Sequence, residues 1–293
     1  MPRPVESGKA WEYGLAVQFR EILNSTLQLT SPRETAQEAY TRQSIAEQTR
    51  INKAANEVAV FLAYHDLRIL DVETIEIQSD QKGELGDVRD ILIHTPDADV
   101  GISAKNRHAA IKHSRLGKQL DFGQSWYGVP CSERYWAAVA TIWDDLEGRK
   151  GELWRELPNK ELWYYKPILD AFMDEITEYG IPELIMQYLL GRYSFYKVIK
   201  DNGTVKIQSF NFDKSLQWGT PIKLPSSIVH MECPMYRSQN RRRTNTVVMY
   251  LDEGWQVSFR LHNAESKIIP SLKFDVNLIG APVTLSSHEI AFG

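Results

Sequence analysis

A chain of 293 residues with 43% hydrophobic and 25% charged residues is long enough to bury a sizeable core, as one large domain or two closely joined ones. These proportions exclude a disordered or fibrous chain, and a net charge of -4 at pH 7 excludes a cationic coat, so a nucleic-acid partner has to be met by a local patch. No apolar run reaches the roughly 18 residues of a membrane helix, Met1-Pro-Arg-Pro lacks the apolar stretch of a signal peptide, and Cys131 and Cys233 are too few and too far apart for a disulfide framework or a zinc cluster; a cytoplasmic protein with free thiols is expected.

Along the chain, Trp11, Leu15, Phe19 and Ile22 recur at helical spacing and predict an amphipathic helix over Lys9 to Asn24. Ser31-Pro32 breaks the chain, a polar, Gln-rich segment follows, and Ile51, Ala55, Val58 and Leu62 mark a second helix ending near Asp66. Val72 to Gln78 alternate as a strand does, Gln81 to Glu84 make a turn, and Val88 to Thr95 and Val100 to Ala104 read as two short strands joined by a tight Thr-Pro-Asp turn. Asn106 to Leu120 is expected to be helical. Beyond Asp121 the chain is rich in aromatic residues, with a helix over Pro167 to Tyr179. Two hairpins close on Asp201-Asn-Gly203 and Asp252-Glu-Gly254, and Phe274 to Ile279 reads as a final strand. The expected class is α/β: a central mixed sheet flanked by helices, with further helical and β-hairpin elements in the C-terminal half.

The segment that carries chemistry runs from Gly86 to Lys105. In its first strand Val88, Asp90 and Leu92 share one face, and in its second Ser103 and Lys105 lie on the same face as each other, so if the strands pair Asp90 and Lys105 can meet at one edge of the sheet. An acid and a lysine delivered by adjacent strands suit metal-assisted hydrolysis of a phosphodiester. Carboxylates hold the metal, which neutralises charge and lowers the pKa of a water, and the lysine holds that water or stabilises the transition state. Ser103 stands where a second acid usually sits. The competing reading makes Asp87 and Asp90 turn and strand-entry acids, and Lys105 a solvated strand end. Glu57, on a helical stripe with Ala54, Phe61 and Tyr64, is placed either to supply the missing ligand or to pair with a nearby base. Glu12, beside the stripe of the first helix, ranks below it.

Two basic clusters follow. Asn106, Arg107, His108, Lys112, His113 and Arg115 crowd together with no acid between Lys105 and Gln119, a density that favours phosphate contacts over a solvated face. Arg237, Gln239, Asn240, Arg241, Arg242 and Arg243 have side chains shaped to read base edges, against the alternative of a solvated loop. Gly-x-Ser-x-Gly, His-Glu-x-x-His and phosphate-loop signatures are absent.

Through Asp87-Val-Arg-Asp-Ile91, Gly101-Ile-Ser-Ala-Lys-Asn-Arg-His108, Ala110-Ile-Lys-His-Ser-Arg-Leu116 and Leu272-Lys-Phe-Asp-Val-Asn-Leu-Ile-Gly280, the chain resembles the HaeIII-type restriction endonucleases of the PD-(D/E)XK nuclease superfamily. The resemblance covers most of the chain. It implies a magnesium-dependent type II enzyme that cleaves both strands of double-stranded DNA at a short GC-rich palindrome of the GGCC class, and a homodimer, since a palindrome presents two equivalent strands. It implies Asp90 as a metal-binding acid, Lys105 as the catalytic lysine, Ser103 as a hydrogen-bonder beside them, and Glu57 or Asp87 as the second metal ligand. On this view residues 1–150 form a nuclease core and 151–293 an extension for DNA recognition or dimerisation. A non-catalytic DNA-binding protein, or a repair nuclease that recognises DNA structure, are the alternatives, and either basic cluster serves phosphates or bases.

Overall fold

The computed structural model describes residues 4–79, 86–107, 110–235 and 243–293. These form two compact units that interleave along the chain: one drawn from Met1–Ala109, Gly191–Lys223 and Val283–Gly293, the other from Ala110–Leu190 and Leu224–Pro282. The division is therefore not a single cut near residue 150. Strands from the C-terminal half complete the sheet that the first hundred or so residues begin, because backbone pairing joins segments far apart in sequence.

In the first unit, helices α1 (Pro4–Leu23), α2 (Ser31–Thr41) and α3 (Ile45–His65) precede the sheet. The expected stripes are buried at Trp11, Leu15, Phe19, Ile51, Ala55, Val58 and Leu62, while Ile22 stays exposed. Helix α2 occupies the segment read as a break. The Thr30 hydroxyl accepts from the Arg33 N–H at 3.3 Å as its N-cap, and Pro32 lies in the first turn, where a missing N–H costs nothing.

The sheet order is β1 (Thr26–Leu27), β2 (Thr74–Ile77), β3 (Ile91–His94), β4 (Asp99–Asn106), β6 (Phe195–Lys200), β7 (Thr204–Phe210) and β12 (Ser287–Ala291). It is mixed: β1 runs parallel to β2 and β4 parallel to β6, and the other pairs are antiparallel. Its buried isoleucine and valine face, including Ile91, Ile93, Ile102 and Val198, packs with the stripes of α1 and α3. The hairpin over Asp201-Asn-Gly203 is as expected, whereas β12 carries too little alternation to be read from sequence.

The segment Asn106 to Leu120, expected as a helix, is the end of β4 followed by β5 (Ala110–Gly117). Ala110, Ser114 and Leu116 are buried while His113 and Arg115 are exposed, a period of two. Strand β5 pairs antiparallel along its length with β11 (Ser271–Gly280), so a distant partner overrides the helical spacing of the bases.

The second unit contains a fully antiparallel sheet in the order β5, β11, β10 (Gln256–His262), β9 (Thr246–Leu251) and β8 (Ile228–Glu232). Its helices are α4 (Phe122–Tyr127), α5 (Glu133–Gly148), α6 (Lys166–Tyr179) and α7 (Pro182–Leu190). Aromatic residues form its core: Trp126 stacks on Phe259 at 5.9 Å and Phe172 meets Phe274 at 5.1 Å. The β9–β10 turn closes through Glu253 and Gly254 in left-handed conformations. Neither cysteine is in a disulfide, and Cys131 is buried. No helix among the described residues is long and apolar enough to cross a membrane.

Candidate active site

Asp90 lies one residue before β3, with its backbone tied to strands on both sides. Its N–H donates to the Ile102 carbonyl at 2.8 Å and its carbonyl accepts from the Gln78 N–H at 2.9 Å. The side chain is thereby aimed at the second half of β4. Three donors converge on a single Asp90 oxygen, Oδ2: the Ala104 N–H at 2.6 Å, the Lys105 ammonium at 3.1 Å and the Ser103 hydroxyl at 3.2 Å. The acid, the serine and the lysine that strand periodicity places together are in contact. Ser103 is buried, yet the Asp90 and Lys105 side chains remain 23% and 26% exposed, enough for a substrate to reach both.

The acid that joins them is Glu12 on α1, the helix that packs on β4. Its carboxyl is buried and hydrogen-bonded to the Lys9 ammonium at 3.0 Å. Burial, and next the charge of Asp90, push this carboxyl up to about 8, while Lys9 and Lys105 pull the other way. Glu57 instead borders a cleft lined by Gln18, Asn52, Lys53, Asn56 and the C-terminal Phe292 and Gly293. Glu12 and Glu57 present the same signal in sequence, an acid beside an apolar stripe, and only the packing of α1 separates them.

Asp87 is engaged elsewhere. Both of its oxygens accept from the Arg89 guanidinium, each at 2.7 Å, and Oδ1 also takes the Arg89 N–H at 3.2 Å. Burial raises its carboxyl, but these bonds outweigh that and hold it below the ordinary value. Arg89 in turn lies over the Tyr193 ring, 4.2 Å from its centre, and across Gly101, where a Cβ would fall 2.0 Å from Arg89 Cδ. Gly101 keeps that passage open.

Sequence reading passed over Lys197. It sits on β6 directly opposite Ser103 in the parallel register and is almost fully buried. Burial, with the charges of Lys105 and Lys206, pulls its ammonium down to about 8. Its signal was faint, a lysine within the apolar run of a strand.

The first basic cluster divides. Asn106 donates to the Ser7 carbonyl at 3.1 Å and accepts from Lys200 at 3.5 Å, which ties β4 to α1. Arg107 is exposed, in a left-handed conformation, with its N–H on the Lys200 carbonyl. Lys112 donates to the Tyr188 carbonyl at 2.9 Å and lies 3.8 Å over that ring, and burial pulls its ammonium down to about 8. His113 pairs with Asp275, and Arg115 is exposed. His108, Arg237, Gln239, Asn240, Arg241 and Arg242 lie outside the described residues. Arg243 is half-buried, with its N–H on the Pro234 carbonyl at 2.8 Å.

An acid and a lysine on adjacent central strands with a second acid from a helix is an arrangement for phosphodiester chemistry, and the comparisons point to the same chemistry. The family model described as HaeIII restriction endonuclease matches residues 8–282. The chain is also 36% identical over 313 residues, 97% of this chain and 96% of the relative, to the type II restriction enzyme HaeIII of Haemophilus aegyptius. No solved structure matches it. The match takes in both units and every element around Asp90, and the chain belongs to the HaeIII restriction endonuclease family.

Proposed function

We propose that this chain hydrolyses both strands of double-stranded DNA at a short GC-rich palindrome of the GGCC class, with Asp90, Glu12 and Lys105 at its centre and Ser103 in support. The observation that carries the reading is the convergence of the Ala104, Lys105 and Ser103 donors on one Asp90 oxygen, beside a buried Glu12 carboxyl.

The side chains fit magnesium. Asp90 and Glu12 offer hard oxygen donors, and a buried carboxyl pushed up to about 8 beside another carboxylate is a site short of positive charge. Among the described residues no three His, Cys, Asp or Glu cluster as a closed cage. Magnesium does not need one, since it retains several waters and takes one or two carboxylates together with substrate phosphate oxygens. When bound, the ion neutralises charge on the scissile phosphate and lowers the pKa of a water.

The chain's own groups do the positioning. The Ala104 N–H and Ser103 hydroxyl fix the Asp90 carboxylate, which with Glu12 would hold the ion. Glu12 completes the acidic set in place of the acid missing at Ser103, a part for which Asp87, paired with Arg89, is not free. Lys105 orients the attacking water and answers the charge that develops on the phosphate. A palindrome has two equivalent strands, so a homodimer presents one such centre to each.

Plasmid incubated with magnesium, with and without cytosine methylation at GGCC, tests the reading. Discrete fragments blocked by methylation are expected. A smear or branch-specific cutting would mark a structure-specific repair nuclease, and a mobility shift without cutting a binding protein.

A further inference from the structure

The outward face of the second unit's sheet carries two rows of side chains across β5, β11 and β10. In one row His113 opposes Asp275, which opposes Arg260; two residues along, Arg115 opposes Lys273, which opposes His262. Directly opposed side chains on antiparallel strands have Cβ atoms about 5 Å apart, and like charges so placed destabilise a sheet.

The first row is balanced. Asp275 lies 3.0 Å from His113 Nδ1 and 3.3 Å from the Arg260 guanidinium, and 3.2 Å from His262 Nε2 of the second row. What remains is Arg115 beside Lys273. Arg115 reaches only the Ser271 hydroxyl, at 3.2 Å, and neither cation meets a carboxylate among the described residues. This happens in a chain with 38 acids against 34 lysines and arginines, where an acid at either flank would relieve the repulsion. The opposite face of the same sheet is covered, for Tyr188 of α7 bonds Ser114 and Trp126 stacks on Phe259. The outward face is open at His113, Arg115 and Arg260. A like-charged pair that weakens its own sheet is a local conflict of the kind kept for a ligand of opposite charge.

We propose that Arg115 and Lys273 contact the phosphodiester backbone of DNA, with the Asp275 network holding the flanking histidines and Arg260 in place. This rests on the nuclease reading and adds a backbone contact carried by the unit without Asp90. The contact is to phosphates: a fork of guanidinium donors beside a point charge suits anionic oxygens and carries no base code of its own.

The test compares the wild type with Arg115→Gln/Lys273→Gln, each titrated with a GGCC duplex in calcium over a salt series, alongside thermal unfolding. Each lost phosphate contact lowers the slope of log K against log salt by about 0.9, so the double variant should lose about 2 from the slope. Its melting temperature should hold or rise, because a repulsion has been removed. A slope and affinity equal to wild type overturn the proposal, and so does weaker binding accompanied by a lower melting temperature, which would make the pair structural. Lys273→Gln alone should lose about half as much slope. A wild type that binds no duplex in the same titration sinks the nuclease reading itself, a result distinct from a variant that binds like the wild type.

Discussion

The Lys105 ammonium stands 3.1 Å from the same Asp90 oxygen that takes the Ala104 N–H at 2.6 Å. The lysine is therefore an added partner of a carboxylate that the backbone already holds. Lys105→Ala leaves Asp90 its other two donors, so fold and DNA binding in calcium should persist. Cleavage should drop by at least about 100-fold, the usual cost of a lost transition-state donor. Single-turnover cleavage of a plasmid in magnesium measures it, and undiminished cutting would remove Lys105 from the chemistry.

Glu12 and Glu57 offer a paired comparison. Glu12→Gln keeps the shape of the side chain and removes its capacity to ionise beside Asp90, so cleavage should fall by about 100-fold or more and not recover with excess magnesium. Glu57→Gln, at a cleft lined by the C-terminal residues, should cut within about threefold of wild type, as substitutions away from the centre usually do. The reverse ranking would restore Glu57 to the site.

The metal-free protein should lose stability as pH rises. Glu12 titrates about 8 in the fold against an ordinary value of 4.5, so the fold favours its protonated form. That contribution is complete below about 4.5 and is lost as pH climbs through about 8. Melting temperatures in chelator at about pH 5, 7 and 8.5 should decline for the wild type and decline less for Glu12→Gln. Parallel profiles for the two proteins would contradict the burial of a protonated Glu12.

Gly101→Ala should cost about 1–3 kcal/mol, because the new Cβ would meet Arg89 Cδ at 2.0 Å and force the guanidinium off Asp87 and Tyr193. Denaturant unfolding gives the value. Combining the change with Arg89→Ala should cost less than the sum of the two single changes, since the clash needs both side chains. Strict additivity would mean that the two positions do not touch.

Asp275→Asn removes the acid that lies against His113, Arg260 and His262 and should destabilise by about 1–2 kcal/mol in urea. The sign is opposite to that expected for the Arg115→Gln/Lys273→Gln variant. Two changes on one sheet face thus separate a structural charge from one held for DNA.

The parts of this molecule legible in sequence are those governed by short-range rules. Strand alternation puts Ser103 and Lys105 on one face, and the Asp-Asn-Gly and Asp-Glu-Gly turns mark both hairpins. Helix α2 was hidden because Ser31-Pro32 reads equally as a break or as a first turn. The basic segment after Lys105 was misread as helix because its bases recur at spacings of three and four, while its strand partner lies some 160 residues downstream.

By itself, then, the sequence determined that Asp90, Ser103 and Lys105 come together, because a tight hairpin leaves neighbouring strands little choice of register. Only the tertiary structure decided that Glu12 is buried within reach of the Asp90 charge, that Asp87 belongs to Arg89, that Lys197 faces Ser103, and that Arg115 stands beside Lys273. Each of these depends on burial or on pairing between distant segments, and no local pattern of residues encodes which helix packs over a strand or which strand lies beside it.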